Sequence, residues 1–464
     1  MRFLIHESSL IELISCLIVA ILVLDSDLKE AILTSTSGVD TILAAWTQRG
    51  VGGRYEVVAQ PPLCALLILF RDVVSHAHGA DVLYDLLITS PPRLKKLVRT
   101  LIARVSDIAD RYARGQVTTA FALEYLHDLL DIIRKLLHQQ HIWTALFKSG
   151  ELLSTLPSAL LIIACGHTDV KVWTDVAGCL RHLVTFCFTG GMGSINPMHQ
   201  VYTALSGGVL KVVYRCLVNL PPSHPDFSFV LLLLGDFAAY AVYTRVVERF
   251  TSAFQKMMAM PNVQTLSEEV LQLTSTITAN LSVKIDWNEY HRGECTSESK
   301  SNVRRRSLGV SLSVSLRLHL LGYIESFCKS SMPAFEALQE QKHGANVPLH
   351  SLVMFADLVS IPPALNVTKI ASYKSALDGG LAYGRRTVGF MRQFLQRREI
   401  HLAEVLFPYG GCTIRVFARL WKDDDNIFHT LSAIFGLIDS NATEREGKTA
   451  RQLRDYQAGE LGHS

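Results

Sequence analysis

The residues of this chain whose types and spacing suit chemistry best are His291 and Cys295, within "DWNEYHRGEC" (Asp286–Cys295). Three residues lie between them, so on a helix both side chains leave one face and can reach a single ion. An imidazole nitrogen and a thiolate are donors that a tetrahedral zinc site uses. A closed site wants four of them. No other cysteine lies between Cys216 and Cys295, and the histidines of that interval are His224 and His291. Two ligands leave zinc mostly hydrated, whereas a closed structural site contributes on the order of 10 kcal/mol or more. Zinc here therefore needs ligands from elsewhere, such as Cys328 or a second chain.

The order Asp286-Trp287, His291, Cys295 resembles the closing segment of the MYND-type zinc finger, a small interaction module holding two zinc ions. The resemblance implies that His291 and Cys295 are the last two ligand positions, and that Asp286 and Trp287 fix their short helix. It also implies a peptide-binding role. With Arg292 after the histidine and a long helical region before it, the chain is similar to fungal proteins that pair stacked helices with such a finger. The family's cysteine knuckles have no counterpart, because the stretch ahead of Asp286 contains "EEVLQLTSTITANL", which reads as a helix. Residues 261–296 thus read as a truncated or degenerate finger. Two readings stay open: a remnant without metal, and a zinc site completed from elsewhere.

Other clusters carry less. The chain has no Walker-type phosphate loop, dinucleotide glycine fingerprint, GxSxG elbow or HExxH helix. "GGMGS" (Gly190–Ser194) follows a helix, lacks a lysine for phosphate and reads as an interhelical loop. No stretch resembles the cofactor motifs of SET methyltransferases. His76 and His78 diverge on a helix, so "HAH" reads as a cap for the helix ending before Gly79. "HQQH" (His138–His141) reads as a helix end and its loop. "DDD" (Asp423–Asp425) lacks the alternating ligands of a calcium loop and reads as a solvated turn. Arg304, Arg305 and Arg306 sit in a solvated linker that alternatively serves nuclear import, with Ser307 as a kinase site. Arg385, Arg386, Arg392, Arg397 and Arg398 occupy a basic helix without a single stripe or interleaved aromatics. A net charge of +3 over 464 residues gives no general field for nucleic acid or anionic membrane. The expectation is a non-enzymatic scaffold with a protein or peptide partner and no small-molecule substrate.

The elements that would position such residues are mostly helices. Half the chain is apolar (49%) and 19% is charged, enough to bury a large core. "RLKKLVRTLIARVSDIADRYARG", "AFALEYLHDLLDIIRKLLH" and "DVKVWTDVAGCLRHLVTFCF" place apolar residues at i, i+3, i+4 and i+7. Breakers at Ser90–Pro92, Arg114–Gln116, Cys165–Asp169 and Leu220–Asp226 separate them. Many of these helices are apolar on more than one face, which predicts helices sandwiched in an armadillo-like stack over residues 1–260. A linker and helix follow over 297–345, and a small α+β unit over 346–440. Within that unit, His350–Val359 and Ala364–Tyr373 read as strands, and His401–Trp421 as a hairpin turning at Gly410 and Gly411. "NIFHTLSAIFGLI" (Asn426–Ile438) reads as a closing helix before a polar tail, 441–464. The fold class is mainly α with a truncated finger and a small α+β unit. "LIELISCLIVAILVL" (Leu10–Leu24) is too short to span a bilayer and contains Glu12, so it reads as a buried core helix. Nine scattered cysteines without a CxxC pair point to a reducing, intracellular setting, cytoplasmic or nuclear.

Overall fold

Helix punctuation decides most of the architecture. The computed structural model describes residues 25–49, 55, 64–188, 196–259, 267–278, 312, 314–360, 363–370, 400–410, 412–423 and 427–439. Leu10–Leu24, the 190–194 loop, the whole Asp286–Cys295 segment, the 297–309 linker, the 385–399 basic stretch and the tail from 441 lie outside the described residues. The chain groups into two compact units, Met1–Leu233 with Ala253–Leu266, and Leu234–Ser252 with Ser267–Ser464.

The first unit is helical. Asp25 caps α1 (Ser26–Thr34) by accepting from the Leu28 amide at 2.9 Å, and Ser35 caps α2 (Thr36–Thr47) through the Gly38 amide. Then come α3 (Ala65–Ser75), α4 (Ala77–Thr89), α5 (Pro91–Ala113) and α6 (Thr119–Leu136). Pro91 opens α5 where an amide would be unsatisfied anyway, and Gly115 follows its end at φ 70°. After α7 (Gln140–Phe147), α8 (Glu151–Ala164) and α9 (Val170–Phe188) come α10 (Pro197–Ser206) and α11 (Val209–Asn219). The expected breakers all fall at helix boundaries, with Pro91 and Pro225 as the first residues of the helices that follow.

Burial on several sides is plain in α6, where Leu126, Leu129, Leu130, Ile132 and Ile133 are all fully buried. That helix packs on α3, α5, α8 and α9, while α8 packs on α5, α7, α9, α10 and α11. Close approach of α8 and α10 demands glycine: a Cβ on Gly207 would lie 2.5 Å from the Ser154 Cα.

"HAH" is borne out in part. His76 is the C-cap of α3, its amide donating to the Asp72 carbonyl at 2.9 Å, but its side chain serves the next helix. It sits between α3 and α4, its Nδ1 accepts from the Gly79 amide at 3.1 Å, and its Nε2 lies 2.9 Å from a Glu30 carboxylate oxygen. The imidazole thus works as an N-cap, and Gly79 lies inside α4.

The helix α12 (Pro225–Ala239) is apolar almost throughout. With the turn after it, Pro225–Val242 is long and apolar enough to cross a membrane by length and composition (mean hydropathy 1.5), yet 56% of that window is buried inside the protein. Two bent pairs, α7 with α8 and α10 with α11, would qualify only as broken spans. Next comes α13 (Thr244–Met258), then α14 over 268–278.

The second unit holds a five-stranded sheet, ordered β2-β1-β3-β4-β5. Strands β1 (Leu352–Asp357) and β2 (Ala364–Lys369) pair antiparallel, β3 (Ile400–Tyr409) runs parallel to β1, and β3, β4 (Cys412–Lys422) and β5 (Phe428–Asp439) form a meander. Gly410 turns the β3–β4 hairpin at φ 63°, as expected. Alternation puts Ala403, Val405 and Phe407 on one face with Ile414, Val416 and Ala418, all buried. On this face Tyr323 of α15 (Val314–His343) meets Phe407 edge-on at 5.8 Å between centroids. This helix reaches both sheet edges. Glu325 accepts from the Thr430 amide on β5, and His343 approaches the Val367 carbonyl on β2 at 3.2 Å.

One element is reversed outright. "NIFHTLSAIFGLI" forms β5, not a helix, and pairs with β4 along its length. Its register slips between Arg419 and Leu420, whose partners are Ser432 and Thr430, so Leu431 is the extra residue. A bulge of this kind breaks the two-residue period and leaves apolar spacings that imitate a helix. Leu431 is correspondingly exposed (52%).

Candidate functional site

The described residue cluster with a chemical character of its own lies in the first unit, where α2 ends and α5 begins. In "PPRLKKLVRT" the α5 periodicity buries Leu97, Val98, Thr100 and Leu101 and leaves Lys95, Lys96 and Arg99 exposed. At the end of α2, the Thr47 hydroxyl donates to the Leu43 carbonyl at 2.9 Å and the side chain is buried. Two residues on, Arg49 makes an antiparallel backbone bridge to Tyr55, and its guanidinium stands 5.1 Å from that ring's centre.

Beneath this lies a buried cation. Arg104 is fully buried, stacks 3.8 Å over the Trp46 ring, and lies 4.9 Å from the centre of the Tyr55 ring. It donates to the Trp46 carbonyl at 2.8 Å and to the Tyr125 hydroxyl at 3.0 Å. Burial pushes the Tyr125 phenol up to about 12, against the opposing pull of Arg104, so it stays a neutral acceptor. Trp46 stacks on Phe70 at 4.8 Å, the Thr100 hydroxyl lies 3.2 Å from the Tyr55 hydroxyl, and Arg111 donates to the Tyr55 carbonyl at 2.8 Å. The ring of Tyr55 is thus held from both ends.

These elements line an open cleft of about 530 Å³. Thr47 and Tyr55 form its buried floor, and Arg49, Lys95, Lys96 and Arg99 its exposed rim, with no acid among the described residues of the lining. Nearby acids are already engaged, Asp40 by Arg93 at 3.1 Å and Asp107 by Arg111 at 3.2 Å. Four cations around an aromatic floor attract an anion, and among the described residues no nucleophile stands beside a base there.

The zinc pair, His291 and Cys295, falls outside the described residues, so its geometry does not enter. Among the described residues no group of three or more His, Cys, Asp or Glu could hold a metal ion. Cys328, the distant residue suggested to complete the site, is buried in α15, where burial pushes its thiol up to about 12. That environment disfavours the thiolate a zinc ligand must supply. Of "DDD", Asp423 accepts from the Ile427 amide at 2.7 Å and faces His429 at 2.9 Å, while Asp424 and Asp425 lie outside the described residues.

A second titratable pair joins α6 and α9. His127 and His182 meet edge-on at 5.3 Å between ring centres, and burial, aided by His127, pulls His182 down to about 4. The unfolded chain, with a histidine near its ordinary value, binds this proton first as pH falls. Stability from this group is therefore complete above about pH 6.5 and lost towards pH 4. Because the ring is partly exposed, solvent screening limits the effect to on the order of 1 kcal/mol. In urea unfolding at pH 7 and pH 5, His182→Gln should lose less stability between the two than the wild type. An identical pH dependence in both proteins would contradict this.

No family model, curated protein or solved structure matches the chain. The MYND-type and armadillo-like resemblances therefore rest on the residues quoted for them. Sequence reasoning passed over the basic cleft, although a signal was present: α5 carries Arg93, Lys95, Lys96, Arg99 and Arg104 before its first acid, Asp107.

Proposed function

We propose that this chain is a non-enzymatic protein–protein interaction scaffold, an armadillo-like helical stack joined to a MYND-type finger remnant. The observation that supports it most is the cleft over Tyr55, an exposed basic rim on a floor fixed by the buried Arg104 network. Rigid floors with polar rims suit partner docking, because little order has to be imposed on binding. The partner class is a protein or peptide. An intracellular setting, cytoplasmic or nuclear, is favoured by the free thiols of Cys64, Cys165, Cys179, Cys187, Cys216 and Cys328.

The competing reading is a zinc protein in which His291 and Cys295 are completed by residues elsewhere or by a second chain. The Asp286-Trp287, His291, Cys295 order supports it, and such a site would serve structure, holding the finger's closing helix. Metal analysis of the purified full chain separates the two. The scaffold reading expects well under one zinc per chain and no catalytic turnover. One zinc per chain, lost on Cys295→Ser, would overturn the remnant in favour of a working finger, and measured turnover would overturn the scaffold.

A further inference from the structure

The cleft described above has a definite charge, volume and rim, and these narrow its occupant. We infer that it docks an acidic peptide segment of a partner protein, with carboxylate side chains on Arg49, Lys95, Lys96 and Arg99. This rests on the scaffold reading and names the chemistry of the partner.

Three observations favour a peptide. All four cations stand exposed on the rim of the cleft, on flexible stems, and its buried lining includes Thr47 and Tyr55. A small phosphate ligand is instead enclosed over most of its surface by converging donors. The volume of about 530 Å³ takes a short run of side chains. A nucleic acid would ask for a longer basic track, and the chain's net charge of +3 supplies no wider field for one. Neighbouring Arg93 and Arg111 are already matched to Asp40 and Asp107, so among the described residues the uncompensated charge is concentrated on the rim. An acidic segment crossing the cleft meets arginines able to grip carboxylates in pairs and lysines serving as mobile point charges.

The test uses the full chain and a fluorescein-labelled octaglutamate peptide, read by fluorescence anisotropy in low salt. Saturable binding is expected, with a dissociation constant at or below about 50 μM. The double variant K95E/K96E should weaken it at least tenfold, about 1.4 kcal/mol. The charge-matched control K171E/K211E, on α9 and α11, should change it less than twofold. K95A/K96A, a milder change on the exposed face, should weaken it in the same direction, and circular dichroism should show every variant helical. Failure of the wild type to bind would overturn the inference, as would equal losses in the two double variants. Displacement by tripolyphosphate at a lower concentration than unlabelled octaglutamate would overturn it in favour of a small phosphate ligand. Displacement by a single-stranded oligonucleotide at such a concentration would do so in favour of nucleic acid. Each of these leaves the scaffold reading standing, whereas turnover sinks that reading without involving the cleft.

Discussion

Replacing Arg104 with alanine is expected to lower the unfolding free energy by about 3–5 kcal/mol, the range seen when one partner of a buried charge network is removed. The side chain is fully buried and occupied at both ends of its fork. Its removal leaves the Trp46 carbonyl and the Tyr125 hydroxyl without that donor, each loss worth about 1–3 kcal/mol in a dry interior. The Trp46 ring also loses a cation 3.8 Å away, and a cavity opens beneath Tyr55. Regained solvation of the guanidinium in the unfolded wild-type chain works against these terms and keeps the total from being larger. Arg104→Met fills most of the space and should be milder. Urea unfolding followed by circular dichroism distinguishes the cases, and an alanine variant within 1 kcal/mol of the wild type would show the network to be incidental.

In the second unit the corresponding anchor is Tyr243, fully buried, with a hydroxyl that donates to the Pro408 carbonyl at the end of β3. Nearby, the Tyr240 hydroxyl accepts from the Gly410 amide at the β3–β4 turn, and His319 of α15 stacks towards Tyr243 while its ring meets the Val242 carbonyl at 2.9 Å. Burial raises the Tyr243 phenol well above its ordinary value, so it remains a donor through the whole working pH range. Tyr243→Ala removes a large aromatic from the core and leaves a carbonyl unmatched, for an expected loss of about 4–5 kcal/mol. Tyr243→Phe keeps the volume and should lose about 1–2 kcal/mol. Equal effects from the two substitutions would mean that packing has no share in the anchor.

Local signals carried far along this chain. Prolines at helix starts, glycines after helix ends and multi-faced apolar spacing placed the helices of the first unit, because each signal acts within a few residues. Gly410 placed the β3–β4 hairpin for the same reason. The β5 strand was misread because one bulged residue, Leu431, shifts its alternation, and the partner that overrules the local pattern is β4. His76 was given one helix end where it serves two, since with no spacer between the helices its backbone closes α3 while its side chain opens α4. The cleft was only half legible, in the run of cations on α5, and for a different cause. Arg49 and Tyr55 come from one stretch and Lys95, Lys96 and Arg99 from another, and only tertiary packing around Arg104 brings them together.

That convergence can be read directly by zero-length carbodiimide cross-linking of octaglutamate to the full chain, which joins a peptide carboxylate to a lysine amine in contact with it as an amide. Docking in the cleft predicts that Lys95 and Lys96 carry the modified peptides, with Lys171 and Lys211 unmodified under the same conditions. Cross-links spread evenly over exposed lysines would contradict it.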